Sequence, residues 1–285
     1  MTEASRSNRA LVALLLFFVG SGCSALIYEV IWYELLRQVI GASSISMAIV
    51  LTSFMGGLFL GSWGFSRLIM PRYHPLLIYA VLELGIGLFG LLILVLLPSV
   101  RLLYVSVVGY GTAGILLRAV VCLICLLPPT IMMGATLPAV ARWMSASRIG
   151  ISRLGFLYMA NTLGAVGGTL LAGFYLLPTY DMVTATQFAA TVNILVAVFA
   201  IVLAWRTLPF PVPQTLTADT GGLQPLVIEL PKSIVYGAIA VSGLTALGAQ
   251  VVWTRLMSLM LGATVYTFTI ILAVFLTGLA VGSSI

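Results

Sequence analysis

Apolar runs deep enough to cross a bilayer core, about 20 residues at 1.5 Å rise each, recur along nearly the whole chain. The pattern predicts spans at Leu11 to Tyr33, Ser43 to Gly64, Leu76 to Leu97, Ala119 to Ala141, Leu154 to Leu177, Met182 to Trp205, Ser233 to Leu256 and Thr264 to Ile285. The first and seventh are open to continue toward Gly41 and Gly262, because no Pro or Gly stops them earlier and a tilted helix can exceed the bilayer thickness. Ser99 to Arg118 is only moderately apolar, with Tyr104 and Tyr110 at interfacial spacing, and reads as an outward-side segment lying along the membrane. Thr207 to Lys232 breaks the rhythm: five prolines with Asp219, Gly221 and Gly222 make an extended, wet linker. The fold class expected is therefore all-α and polytopic.

Sliding the chain against itself by 221 residues lays Ser21 to Ser62 over Ser242 to Ser283 without a gap. Shared Leu or Ile is cheap in so apolar a chain. Trp32 over Trp253, and Gly22, Gly41, Gly57 and Gly61 over Gly243, Gly262, Gly278 and Gly282, are not cheap, and they read as a duplication. Six spans separate the starts of the two copies, an even number, so both enter the membrane in the same direction. That is a parallel repeat, as in the two halves of major facilitator transporters. The expected organisation is a six-helix first bundle over residues 1–206, a cytoplasmic Pro/Gly linker over 207–232, and the first two helices of a second half over 233–285. By the logic of the repeat, about four further helices are expected to follow Ile285.

Composition sharpens the picture. Only 7% of residues are charged against 61% hydrophobic, and the mean hydropathy is +1.19. An average soluble domain is roughly one-quarter charged, so lipid rather than water is the expected solvent for most of this surface. The formal charge of +6 does not point to nucleic acid, since the Lys and Arg residues are scattered between apolar runs rather than gathered in a patch. They answer a topological question instead. Placing the N-terminus in the cytoplasm puts Arg6, Arg9, Arg67, Arg72, Arg142, Arg148, Arg153, Arg206 and Lys232 there, and leaves Arg37, Arg101, Arg118 and Arg255 toward the other side, as the positive-inside rule prefers. The expected location is the cell membrane, a bacterial inner membrane, crossed several times. The first apolar stretch outruns a secretory signal, and Gly20 stands where a lipoprotein cleavage box wants an aliphatic residue, so a retained first helix is expected. Cys122-Leu-Ile-Cys125 superficially matches a redox pair but sits in an apolar run, where thiols act as small hydrophobes.

Four runs, in order, carry a more specific message: Ser21-Gly-Cys-Ser-Ala-Leu-Ile-Tyr-Glu-Val-Ile-Trp32, Phe54-Met-Gly-Gly-Leu-Phe-Leu-Gly-Ser62, Met133-Gly-Ala-Thr-Leu-Pro138 and Leu157-Tyr-Met-Ala-Asn-Thr-Leu-Gly-Ala165. They resemble the membrane part of the fused major-facilitator-like/spermidine synthase family, over nearly the whole chain. The resemblance implies a membrane domain followed by a cytoplasmic aminopropyltransferase-like domain that binds decarboxylated S-adenosylmethionine and a polyamine. No glycine-rich turn after a strand and no acidic pair on alternating β residues matches that second domain. The chain is thus expected to look like a truncated or split member that does not catalyse aminopropyl transfer by itself and needs no cofactor.

Candidate chemistry rests on the few polar side chains inside the spans. Glu29 and Glu83 either line a central cavity and hold a small cation, with Trp32 and Trp253 offering π faces, or are protonated or hydrogen-bonded to neighbouring helices. Glu34 and Arg255 occupy the same register in the two copies; the resembled family usually carries Arg two residues after each Trp, so Glu34 departs from it. They are candidates for an ion pair between the copies, against a local pair of Glu34 with Arg37. Asn161, Asn193 and Gln250 read as bonds between helices more readily than as substrate ligands. His74 reads as a solvated loop residue, and one His with scattered Cys builds no metal site. Glycines four apart in Gly57 to Gly61, Gly164 to Gly168 and Gly278 to Gly282 let backbones approach closely, within this chain or between two copies. Pro128, Pro129 and Pro138 are expected to kink the fourth span. The two functions left open are a module that binds or moves a polyamine or similar small cation, and a non-transporting anchor for a synthase domain.

Overall fold

The computed structural model describes residues 3–41, 43–68, 73–107, 112–146, 154–206, 231–262 and 264–282. Among them stand eight helices long and apolar enough to cross a membrane, with no strand. We number these α1 (Glu3–Ile40), α2 (Ser44–Leu68), α3 (Pro75–Val107), α4 (Thr112–Ala146), α5 (Leu154–Thr179), α6 (Met182–Arg206), α7 (Lys232–Leu261) and α8 (Val265–Gly282). The linker over 207–230 lies outside the described residues, as do Arg72, Arg148 and Arg153. Pro231 opens α7 by accepting the Ile234 backbone N–H at 2.9 Å.

Helices α1 and α7 do run on to the glycines. Gly41 and Gly262 stop them at φ of +89° and +91°, a backbone region that costs a residue with a Cβ and comes freely to glycine. The hydrogen bonds of the two corners are similar, with the second hydroxyl donating six residues back at one corner and five at the other. Ser43 Oγ caps the Ser46 backbone N–H at 3.1 Å, and Ser46 Oγ donates back to the Ile40 carbonyl. Thr264 Oγ1 caps the Thr267 N–H at 3.4 Å, and Thr267 Oγ1 donates back to the Gly262 carbonyl. Each corner therefore satisfies one orphan N-terminal N–H and one carbonyl with its own hydroxyl side chains.

The stretch after Ser99 is not a separate interfacial element. It continues α3 through Pro98 to Val107, and α4 begins at Thr112. One proline removes a single ladder bond, and a 33-residue helix of about 50 Å simply overruns the hydrocarbon core. Tyr110 lies outside the described residues. Pro128, Pro129 and Pro138 likewise sit inside a continuous α4. Helix α5 passes through a π-helical turn at Ala172–Leu176 beside α8.

Packing pairs α2 with α4, α1 with α5 and α6, α3 with α4 and α6, and α8 with α5. Two of these seams are glycine seams. A Cβ on Gly164 or Gly168 would strike the backbone of Val19 or Cys23 on α1, and one on Gly22 would strike Asn161 on α5. Gly61 lies against the Ile131 backbone of α4, and Gly134 of α4 against Leu58. These small residues thus serve helix packing within the chain. Gly278 and Gly282, the counterparts of Gly57 and Gly61, meet nothing within 4 Å. Helix α7 is the outlier in burial, with 6% of its central window buried where the other spans reach 33 to 44%.

Candidate functional site

Among the described residues, the candidate polar side chains fall in three separate places. The first joins three helices. Glu83 on α3, fully buried, accepts hydrogen bonds from Ser21 Oγ of α1 and Asn193 Nδ2 of α6, both at 2.6 Å. The Tyr79 hydroxyl stands next to Glu83 and Ser21 but outside hydrogen-bond geometry. Glu83 and Asn193 therefore form a bond between helices, and neither lines a described cavity.

The second place is the middle of α1. Glu29 is 3% exposed and its Oε1 has no hydrogen-bond partner. The 221-residue shift lays it over Gln250 of α7, which is also buried and whose Nε2 is likewise unpartnered. Trp32, 1% exposed, stacks on Tyr28 at 4.9 Å between ring centroids, and its Nε1 also lacks a partner. Its counterpart Trp253 is 51% exposed, so the two tryptophans do not enclose a common space.

The third place lies between the two corners. Tyr33, Arg37, Ser43, Ser44, Thr254, Arg255 and their neighbours line a cleft where the end of α1 and start of α2 meet the end of α7 and start of α8. The shift pairs most of its lining residues, Tyr33 with Thr254, Arg37 with Ser258, Ser43 with Thr264 and Met47 with Phe268, but not Ser44 or Arg255. Tyr33 and Phe268 stack across it at 4.2 Å. Glu34 is paired here with Arg37 at 2.7 Å, three residues along the same helix, while its Oε2 stays buried without a partner. No ion pair joins Glu34 to Arg255, because neighbours one turn apart on a helix meet without further ordering cost, and Arg255 is exposed at the cleft. Nearby, Arg118 of α4 donates to Ser46 Oγ at 3.4 Å.

A wider space lies elsewhere, an apolar groove of about 470 Å³ between α1 and α6 lined by side chains such as Leu16, Phe17, Leu195 and Phe199. It contains none of the candidate residues. His74 is buried rather than solvated: its Nδ1 accepts the Leu76 N–H and its carbonyl the Leu77 N–H, so it caps α3, and burial holds its pKa below the ordinary value. Asp181 opens α6 through the Thr184 N–H at 2.9 Å, which lowers its pKa. No group of His, Cys, Asp and Glu that could hold a metal occurs among the described residues.

Sequence reasoning picked out Glu29, Glu83, Trp32, Gln250 and Arg255 one by one. It missed Ser21 and Tyr79, whose hydroxyls gave no pattern, and it missed the cleft. The signal for the cleft was present, since the same shift that matched the glycines also lays Ser43 over Thr264. Comparisons with protein-family models, with curated proteins and with solved structures returned no match.

Proposed function

We propose that this chain is a non-transporting membrane module, a parallel-repeat, major-facilitator-like bundle that holds an aminopropyltransferase-like domain at the bilayer. The observation that carries this reading is the state of the two intramembrane carboxylates. Glu83 is used up by Ser21 and Asn193, and Glu29 lies packed inside the bundle away from the described cavities. A cation carrier needs its carboxylates to reach a water-filled path. The similar caps of the two corners, and a cleft in which the shift pairs most lining residues, support the twofold arrangement. The synthase partner rests on the four resembling runs alone. Liposomes holding the purified chain are expected to take up no more spermidine than empty ones, and a soluble spermidine synthase-type enzyme from the same cell to sediment with membranes only when the chain is present. Saturable uptake that Glu29→Gln abolishes, or an enzyme that stays soluble throughout, overturns the proposal.

A second reading has one observation in its favour. A buried carboxylate oxygen without a donor is costly, and Glu29 Oε1 lies at the register where the other copy places an unpartnered amide. A small cation such as a polyamine amine would satisfy that oxygen, and the same uptake measurement decides between the readings.

A further inference from the structure

The positive-inside rule leaves four arginines on the disfavoured side, and three of them converge. Arg37 and Arg255 line the cleft between the corners, and Arg118 reaches Ser46, which caps one of those corners. Cations placed against the topological preference call for a local reason. Glu34 offsets Arg37 but does not line the cleft. Arg255 makes no hydrogen bond or ion pair among the described residues. The lining holds no carboxylate, and of its serine and threonine hydroxyls Ser43, Thr254, Ser258 and Thr264 already donate within the chain, which leaves Ser44. Helices α2 and α8 begin here and α1 and α7 end here, so the helix dipoles cancel and the charge of the cleft comes from its arginines.

From this geometry we infer that the cleft binds a small oxyanion, a phosphate or carboxylate group, held by the Arg37 and Arg255 guanidiniums with the Ser44 hydroxyl beside them. The chemistry suits it. Guanidinium presents paired donors that match two oxygens of such a group. Size narrows the ligand further. The enclosed space is about 30 Å³, on a measure by which one water needs about 10–15 Å³, so it admits one compact group and not an extended chain. A polyamine is excluded twice over, by charge and by length. The group can arrive free or as the head of an anionic lipid, and nothing in the inference depends on whether the module transports or anchors.

The test uses the whole chain. Thermal unfolding in neutral detergent is followed against inorganic phosphate and, separately, after reconstitution in phosphatidylcholine with and without phosphatidylglycerol. The native protein is expected to gain stability in at least one arm, and Arg255→Gln to weaken that response by about tenfold in apparent affinity. Arg67→Gln serves as the control for general charge effects; Arg67 lies over Trp63 on another part of α2, 4.3 Å from the ring centroid, and its loss is expected to leave the response unchanged. Response to phosphate alone assigns a free anion, and response to phosphatidylglycerol alone assigns a lipid head. The inference fails if neither arm shifts the native protein, or if Arg255→Gln and Arg67→Gln respond as the native protein does. Arg255 is exposed, so its replacement does not threaten folding.

Discussion

Glu83 is tolerated inside the bundle because two donors from other helices reach it, Ser21 Oγ and Asn193 Nδ2. Removing the carboxylate strands both donors in an apolar interior, and each interhelical bond in a membrane protein contributes roughly 0.6–2 kcal/mol. Glu83→Ala is therefore expected to destabilise the protein by about 2–3 kcal/mol. Glu83→Gln keeps one acceptor oxygen and should cost about half of that. Unfolding in detergent by heat or denaturant measures both, and an alanine variant as stable as the native protein would show that the node contributes nothing. The sequence marked Glu83 and Asn193 because a polar residue within an apolar run is conspicuous. It could not mark Ser21 or Tyr79, since hydroxyl-bearing residues are common in membrane helices and nothing local says which will meet a carboxylate 62 residues away.

At the level of elements, the 221-residue shift offers a matched comparison. Gly61 lies against the Ile131 backbone, whereas Gly282 faces open space at the same register. Gly61→Ala is expected to cost about 1–3 kcal/mol, because backbone on the far side cannot yield as a side chain can. Gly282→Ala, by contrast, should be neutral or slightly stabilising through helix propensity. Equal effects of the two substitutions on the unfolding midpoint would refute the packing argument. Helix number and approximate span were legible from apolar run length, which depends only on local sequence. The extra turns of α3 past Ser99 were not legible, because moderate apolarity describes a helix overrunning the core as well as one lying on it. His74 was misread for a related reason: a loop histidine looks solvated until the fold turns its Nδ1 onto a helix start.

On the scale of the whole molecule, orientation is the property that the charges predict and the helices alone leave open. The cysteines are free, so a cysteine-free background is practical. In that background, Asp181→Cys, at the exposed α5–α6 turn, is expected to react with a membrane-impermeant maleimide in intact cells. Asp219→Cys, in the linker, should react only after permeabilisation. The reverse pattern places the N-terminus outside. Of the polar sites, individual residues could be found from the sequence, but their grouping could not. Whether Trp32 and Trp253 share a space depends on how far α7 rotates, and no single-helix pattern contains that angle. With the N-terminus inside, the α1–α2 and α7–α8 corners must be carried across the hydrocarbon during biogenesis. Bare peptide groups would resist that passage. Because Ser43 and Ser46, and Thr264 and Thr267, cover one N–H and one carbonyl at each corner, each hairpin carries fewer bare peptide groups into the bilayer, so its assembly can precede its contact with the rest of the protein.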